Sequence, residues 1–236
     1  PIEIVDKYAI GLDSIKKITF GETVKELRSR CIFDTSNLEV IDFGHVEKME
    51  AYVLFQCYSF NKIILPRNNF EINGQFQQHA VFQSKVTVEI PKEVTELPKE
   101  AFGIDQSTME VEKYIVEEGN PSYEAIDDVL YTKPQDGGRT LIGYPMYKPV
   151  ESFVIPEDVT TIGDNAFWFC CEKSPLKELT ISKNVKTVET LAFSYTRLDR
   201  LILLANIETI MFSSSLSVNA TKASIASIPS SKSRSC

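Results

Sequence analysis

The stretch Val159–Phe167, "VTTIGDNAF", decides the reading of the chain, because near-copies of it stand elsewhere. "VTELPKEAF" runs from Val94 to Phe102 and "VKTVETLAF" from Val185 to Phe193, each with an apolar residue three places after the Val and Ala-Phe at its end. Just upstream of each lies an apolar-x-apolar stretch: "VTVEIPKE" from Val86, "FVIPED" from Phe153 and "LTISKN" from Leu179. Apolar residues two apart share one face of a strand, since successive side chains point to opposite sides. The chain is therefore a series of repeats, and self-similarity at a short fixed period marks a stacked array.

The residue that opens each strand serves as a ruler. It falls at Ile18, Ile41, Ile63, Val88, Tyr114, Phe153, Leu179 and Leu201, in steps of 23, 22, 25, 26, 39, 26 and 22 residues. Some copies are worn: the Ala-Phe position reads as Cys31-Ile32 in one unit and Leu54-Phe55 in another. The copy at Ile63 needs an inserted residue or two before Ala80-Val81-Phe82. After Tyr114 the chain turns aside into "NPSYEAIDDVLYTKPQDGGRTLIGYP", which accounts for the long step. Within it "DGGR", Asp136 to Arg139, lies between "VLYT" and "TLIGY" and reads as a hairpin turn, because adjacent glycines supply the positive φ that tight turns need.

A unit this short cannot bury its apolar face alone, so neighbouring units must stack around a shared core. Val88, Ile90, Phe153, Ile155, Leu179 and Ile181 are expected to point inward from the strands, Val159 and Ile162 to line the opposite wall, and Ala-Phe to close the coil. Each buried Phe should contribute roughly 1.5–3 kcal/mol.

The pattern resembles the leucine-rich repeats of the BspA-like (Treponema pallidum type) family, whose units read roughly L-x-x-I-x-I-P-x-x-V-x-x-I-x-x-x-A-F-x-x-C. The resemblance covers nearly all of Ile2 to Ile210. Ile155-Pro156, Val159, Ile162-Gly163, Ala166-Phe167 and Cys170 are among the residues that carry it, and the "NPSY…DDVLY…TLIGYP" segment is similar to an insertion that family holds between units. The expected fold is a leucine-rich-repeat solenoid, α/β or mainly β: an elongated right-handed coil with one parallel sheet, a short helical or irregular convex side, and one β-hairpin insertion near residues 117–149. The array is expected over residues 1–212.

Running the register backwards sets Ile2, Val5 and Ala9-Ile10 where Val94, Leu97 and Ala101-Phe102 stand later, so the sequence opens in mid-repeat and without Met. It reads as a fragment or processed product, and the lack of a leader here is uninformative about secretion. Residues 213–236 are Ser-rich, with no acidic or aromatic residue, and are expected to be a disordered tail. That tail holds "NAT" at Asn219, the one candidate glycosylation site; "NPS" at Asn120 is disqualified by its Pro.

A formal charge of −8 would repel phosphate backbones, and no basic stripe with interleaved aromatics is present, which argues against nucleic acid as a partner. No apolar run approaches the length needed to span a bilayer. Of five cysteines, Cys31, Cys57 and Cys170 occupy positions that suit packing; Cys170-Cys171 are adjacent, and no C-x-x-C spacing supports zinc. The two histidines, His45 and His79, sit in different units without a neighbouring carboxylate or thiol at a metal or triad spacing. Glu117-Glu118 and Asp127-Asp128 lack a glycine-hinged calcium loop and read as solvated turns. No enzyme, metal or cofactor is expected.

Function in such an array lies on the exposed face of the stacked strands. The outward column reads Thr19, Asp42, Ile64, Glu89, Ile115, Val154, Thr180 and Ile202, and four of the eight are β-branched aliphatics. The candidate partner-binding face is Ile64, Glu89, Ile115, Val154, Thr180 and Ile202; the alternative is that β-branched residues simply suit strands or are covered by the insertion. Trp168, after an expected core Phe in "FWFCC", is a second candidate, either projecting as a stacking platform or packing between turns. The resemblance implies a cell-surface or secreted, adhesin-like protein that binds host or matrix proteins, with glycan a lesser candidate. A structural spacer within a larger protein is the alternative.

Overall fold

A computed structural model describes residues 1–74, 77–78, 85–98, 110–135, 137–168, 170 and 174–210. Ala80-Val81-Phe82, Ala101-Phe102, His79, Asp136, Cys171 and the whole of 213–236 lie outside the described residues.

Strands are numbered in chain order. The ruler residues build two parallel sheets. The first holds β2 (Lys17–Thr19), β5 (Val40–Asp42), β8 (Lys62–Ile64), β11 (Val86–Ile90) and β12 (Val111–Val116), the second β16 (Ser152–Val154), β18 (Glu178–Ile181) and β20 (Arg200–Leu203). Ile18, Ile41, Ile63, Val88 and Tyr114 are successive cross-strand partners, as are Phe153, Leu179 and Leu201. The expected register therefore holds at all eight positions. Alternation turns these residues inward while their strand neighbours face out.

The opposite wall is also strand, two to five residues at a time, and parallel except within the insertion. In the first half it comprises β1 (Ile4–Val5), β3 (Glu26–Leu27), β6 (Lys48–Glu50) and β9 (Glu71–Asn73), with Val5, Leu27, Met49 and Ile72 in line. A third small sheet, β4 (Ile32–Phe33), β7 (Leu54–Phe55) and β10 (Gln77–Gln78), closes the corner. In the second half the wall is β13 (Tyr123–Ile126), β14 (Val129–Thr132), β15 (Arg139–Gly143), β17 (Val159–Ile162), β19 (Thr187–Val188) and β21 (Thr209–Ile210). Helix is nearly absent among the described residues, so of the two expected forms the mainly β one holds. Units of this size, broken by Pro, Gly and Asn, leave no stretch of the dozen or so residues a stable helix needs.

The insertion is a meander. Ile126 pairs with Val129 across a two-residue turn, Asp127-Asp128, whose φ values of 48° and 68° are those of a type I′ turn. The expected hairpin around Gly137-Gly138 joins β14 to β15 antiparallel. Gly138 has φ +94°, and a Cβ there would stand 2.5 Å from the Thr160 side chain, so both conformation and space call for glycine. β15 then pairs parallel with β17, Leu141 opposite Ile162, and so returns the chain to the wall of the solenoid.

Where the meander enters, the inward strands part into their two sheets. The turn at Asp127-Asp128 sits beside β12, with the Tyr114 N–H donating to the Asp128 carbonyl at 3.2 Å. The core parts likewise, into one cluster running from Val5 to Leu130 and another from Val129 to Ala192. Val129 and Leu130 are adjacent on β14 and point to opposite sides, so this strand is the partition between the two.

The corner corrects one expectation. Ile10, Ile32 and Leu54 are register partners, so the small-large pair of the third unit is Val53-Leu54, not Leu54-Phe55. Gln77 follows opposite Leu54, ahead of Ala80-Val81-Phe82. With this shift Cys57 follows its inward residue by three, as Cys170 follows Phe167. Both are fully buried, as is Cys31, and all three are free thiols. Burial pushes the Cys31 thiol up to about 12 and raises Cys57 as well. In the second half Tyr144, Phe167 and Phe193 stack at 5.0 and 5.4 Å between ring centres, a common column closed by Phe167 N–H donating to Ala192 O and Tyr144 N–H to Ala166 O.

Candidate recognition surfaces

The outward residues of the strands form the column the spacing implied. Thr19, Asp42, Ile64, Glu89 and Ile115 are neighbours on successive strands, and Val154, Thr180 and Ile202 are neighbours on the second sheet. The two groups belong to different sheets and are interrupted by the insertion. Ile115 on β12 is 39 % exposed and Val154 on β16 is 63 % exposed, each on the edge strand of its sheet. Ile64, Glu89, Thr180 and Ile202 are half-buried. The insertion abuts β12 at its edge and leaves Ile115 open; its own Ile126, 41 % exposed, adds an apolar residue beside that turn.

Asp42 departs from the column. It is only 6 % exposed, because Arg67, 25 residues on, covers it with contacts of 2.6 and 3.1 Å to its two carboxylate oxygens, and the Gly44 N–H donates at 3.0 Å. Burial pushes this carboxyl up, but the hydrogen bonds from Arg67 and Gly44 outweigh it and hold the group below its ordinary 3.8. Glu89 is paired too, with Lys62 at 2.5 Å across one turn. Lys16–Glu39 and Arg200–Glu178 repeat that device at 2.9 and 2.8 Å. Charge on this face is thus largely spent between turns, which leaves the aliphatic residues at the break as its unpaired chemistry.

Trp168 is not on the strand face. It follows inward Phe167 as Phe33 follows Ile32 and Phe55 follows Leu54, on the outer side of the corner. It is half-buried and meets Tyr195 edge-on at 6.1 Å and 84°, while Tyr195 is 41 % exposed. The contact with Tyr195 is packing between turns, made by a side chain that keeps part of its surface open. The matching aromatics of the first half escaped the sequence reading because Phe55 was assigned inward; the small-large-aromatic order of "CIF", "VLF" and "AFW" is the signal that finds them.

Titratable groups gather in structural roles. Arg139, 10 % exposed in its side chain, reaches Glu124 at 3.0 Å and Asp158 at 2.7 Å and lies 5.6 Å from the Tyr131 ring, tying the meander to the next unit. Asn120 is buried: its amide donates to Pro91 O and Val94 O and its oxygen accepts from Ser122 and Tyr123 N–H, all at 2.8–2.9 Å. Among the described residues no three His, Cys, Asp or Glu side chains stand together as a metal site, and no helix is long and apolar enough to cross a membrane. A cavity of about 210 Å³ opens where the insertion meets the following unit, between Tyr114, Tyr123, Ile142, Tyr144, Met146 and Trp168.

Comparison with known proteins bears on this architecture. A family model described as the BspA type leucine rich repeat region matches in six copies, over residues 2–108 and 146–235, and so leaves out the meander. No curated protein matches the chain. Among solved structures, a leucine-rich repeat protein from Eubacterium ventriosum is 22 % identical with a TM-score of 0.51, over 84 % of this chain and 56 % of that one. The pneumococcal vaccine antigen PcpA is 22 % identical with a TM-score of 0.44, over 84 % and 58 %. A leucine rich cell surface protein from Faecalibacterium prausnitzii is 16 % identical with a TM-score of 0.39, over 86 % and 80 %. The chain spans a little over half the length of the first two, and at such identity the likeness to the Eubacterium protein is one of fold.

Proposed function

Since the chain belongs to the BspA-type leucine-rich repeat family, we propose that it is a non-enzymatic protein-binding scaffold, secreted or held at a cell surface, that engages a host or matrix protein through the outward face of its strands. The observation that carries this reading is the pair of exposed aliphatics on the two edge strands at the break, Ile115 at 39 % and Val154 at 63 %. An array of stacked turns creates an extended surface suited to a macromolecule rather than to a small substrate. Exposed apolar residues rimmed by paired charges are the usual mark of a docking patch. Ile64 extends the patch by two strands, with Glu89 between it and Ile115, and Thr180 and Ile202 continue the face beyond Val154.

Replacing Ile64, Ile115 and Val154 together with Ser tests it. The triple variant should keep its unfolding midpoint and lose binding about tenfold or more on an array of matrix and host proteins, since a central apolar anchor is worth upwards of 1 kcal/mol. Unchanged stability with unchanged binding would remove the proposed face. Absence of any binding by the unaltered array would favour the spacer role instead.

A further inference from the structure

The corner of the first half carries a second surface, distinct from the strand face. Tyr8, Arg30 and Tyr52 stand one above another: the Tyr8 N–H donates to Arg30 O at 3.0 Å, and the Arg30 N–H to Tyr52 O at 2.8 Å. All three have left-handed backbone conformations, with φ of 57°, 57° and 63°. Bulky residues rarely adopt that region. Its repetition sets three long residues at equivalent places on successive turns of the corner. Beside them run Phe33 and Phe55, partners across β4 and β7. Tyr8 meets Phe33 edge-on at 5.4 Å and 86°, and the Arg30 guanidinium lies 5.0 Å from the centre of the Phe55 ring while donating to the Tyr8 hydroxyl at 3.1 Å. Tyr8 is 51 % exposed and the other four are half-buried. Gly11 occupies the place of Phe33 one turn earlier; a Cβ there would come within 2.4 Å of the Phe33 ring, so glycine lets that ring lie down over the end of the strip.

We propose that this strip docks a proline-rich peptide in the polyproline II conformation, lying along the axis of the coil. Parallel strands are spaced about 4.8 Å apart, so Tyr8 and Tyr52, two turns apart, repeat at about 9.6 Å. A polyproline II helix advances about 3.1 Å per residue with three residues per turn, or about 9.3 Å per turn, so successive prolines on one side meet successive tyrosines. The Tyr8 and Phe33 rings are perpendicular rather than coplanar. They leave notches that accept a pyrrolidine ring, where a sugar would require a flat face. Polyproline II also leaves its carbonyls without internal partners, and Arg30, with five N–H donors and midway between the tyrosines, supplies hydrogen bonds to them. Aromatic side chains are the general means of reading such peptides.

The test uses the whole chain and a fluorescent deca-proline peptide, with a Gly-Ser decapeptide and cellohexaose as competitors. Saturable binding of deca-proline that neither competitor displaces is expected. Tyr8→Asn with Tyr52→Asn should weaken it about tenfold, and Asn tolerates the left-handed conformation, so the corner keeps its path. Arg30→Asn alone is the milder variant if the double one melts early, and should weaken binding several-fold. Ile115→Ser should leave it unchanged, which separates this surface from the strand face. No saturable binding up to about 1 mM, equal binding by the tyrosine or arginine variants, or displacement by cellohexaose would overturn the proposal.

Discussion

The two halves of the coil turn the same corner with different residues. In the first, the inward pairs are Cys31-Ile32 and Val53-Leu54, with Phe33 and Phe55 left on the outer side; in the second they are Ala166-Phe167 and Ala192-Phe193, followed by half-buried Trp168 and by Ser194, which is small enough to be buried. Where the first member is larger the second is smaller. The corner therefore conserves the volume of a pair rather than the identity of either residue, which is how close-packed interiors tolerate change. The difference decides where aromatic rings end up. A half that fills its corner with aliphatics is free to display its rings, and a half that fills it with rings has fewer to show.

The severest way to break the comparison is Phe167→Ala. Phe167 is fully buried and its ring meets those of Tyr144, Phe153 and Phe193 at 5.0, 6.2 and 5.4 Å. Emptying it should cost about 3–5 kcal/mol, read in a denaturant titration. A cost below about 1 kcal/mol would mean that the column is not what holds the second half shut.

In the first half the corresponding test contrasts neighbours. Leu54→Ala, at a fully buried site, should cost about 2–5 kcal/mol. Phe55→Ala, although it deletes more atoms, should cost about 1 kcal/mol, because its ring lies on the outer side. The reverse order would restore Leu54-Phe55 as the inward pair.

That contrast also marks the limit of what the sequence discloses. Apolar residues at i and i+2 recurring every 22–26 positions are a signal of strand alternation, and each of the eight ruler residues lies opposite its predecessor or successor in a sheet. Matching to Ala-Phe failed at Leu54-Phe55 because it looked for a ring, whereas the register follows whichever side chain points inward. Tyr144 was hidden for a related reason: it ends the insertion in sequence but begins the aromatic column in space. Asp42 looked exposed because its cover, Arg67, comes from the next turn and a different column. Of the recognition surfaces, the strand column was legible from alternation alone. The corner strip was not, since nothing in Tyr, Arg or Tyr announces a left-handed backbone that is ordinarily the province of Gly and Asn.

Volume compensation itself can be tested by converting one half to the other's solution. Ala166 is 2 % exposed, so Ala166→Val alone overpacks the second half and should cost about 1–3 kcal/mol. Adding Phe167→Leu should bring the pair to the Val-Leu of the first half at a total of about 1.5 kcal/mol or less, well under the sum of the single changes. Simple additivity would show that the two positions do not share space.

The smallest effect, a loss of stability confined to alkaline pH, comes from Cys31, the thiol in the small position of a first-half corner pair. Burial raises Cys31 from an ordinary 9.0 to about 12. A folded value above the unfolded one means that the native state holds the proton more tightly. The contribution is thus fully present below pH 9 and is lost as pH rises from 9 toward 12. Alkaline titration of the unfolding midpoint should show that decline, and Cys31→Ala, which installs the second half's small residue, should blunt it. In the native protein at pH 8 iodoacetamide should leave Cys31, Cys57 and Cys170 unmodified, as read from the tryptic peptides, and should label all three once denaturant is added. Ready labelling of Cys31 in the native state would place it outside the corner and take the volume argument down with it.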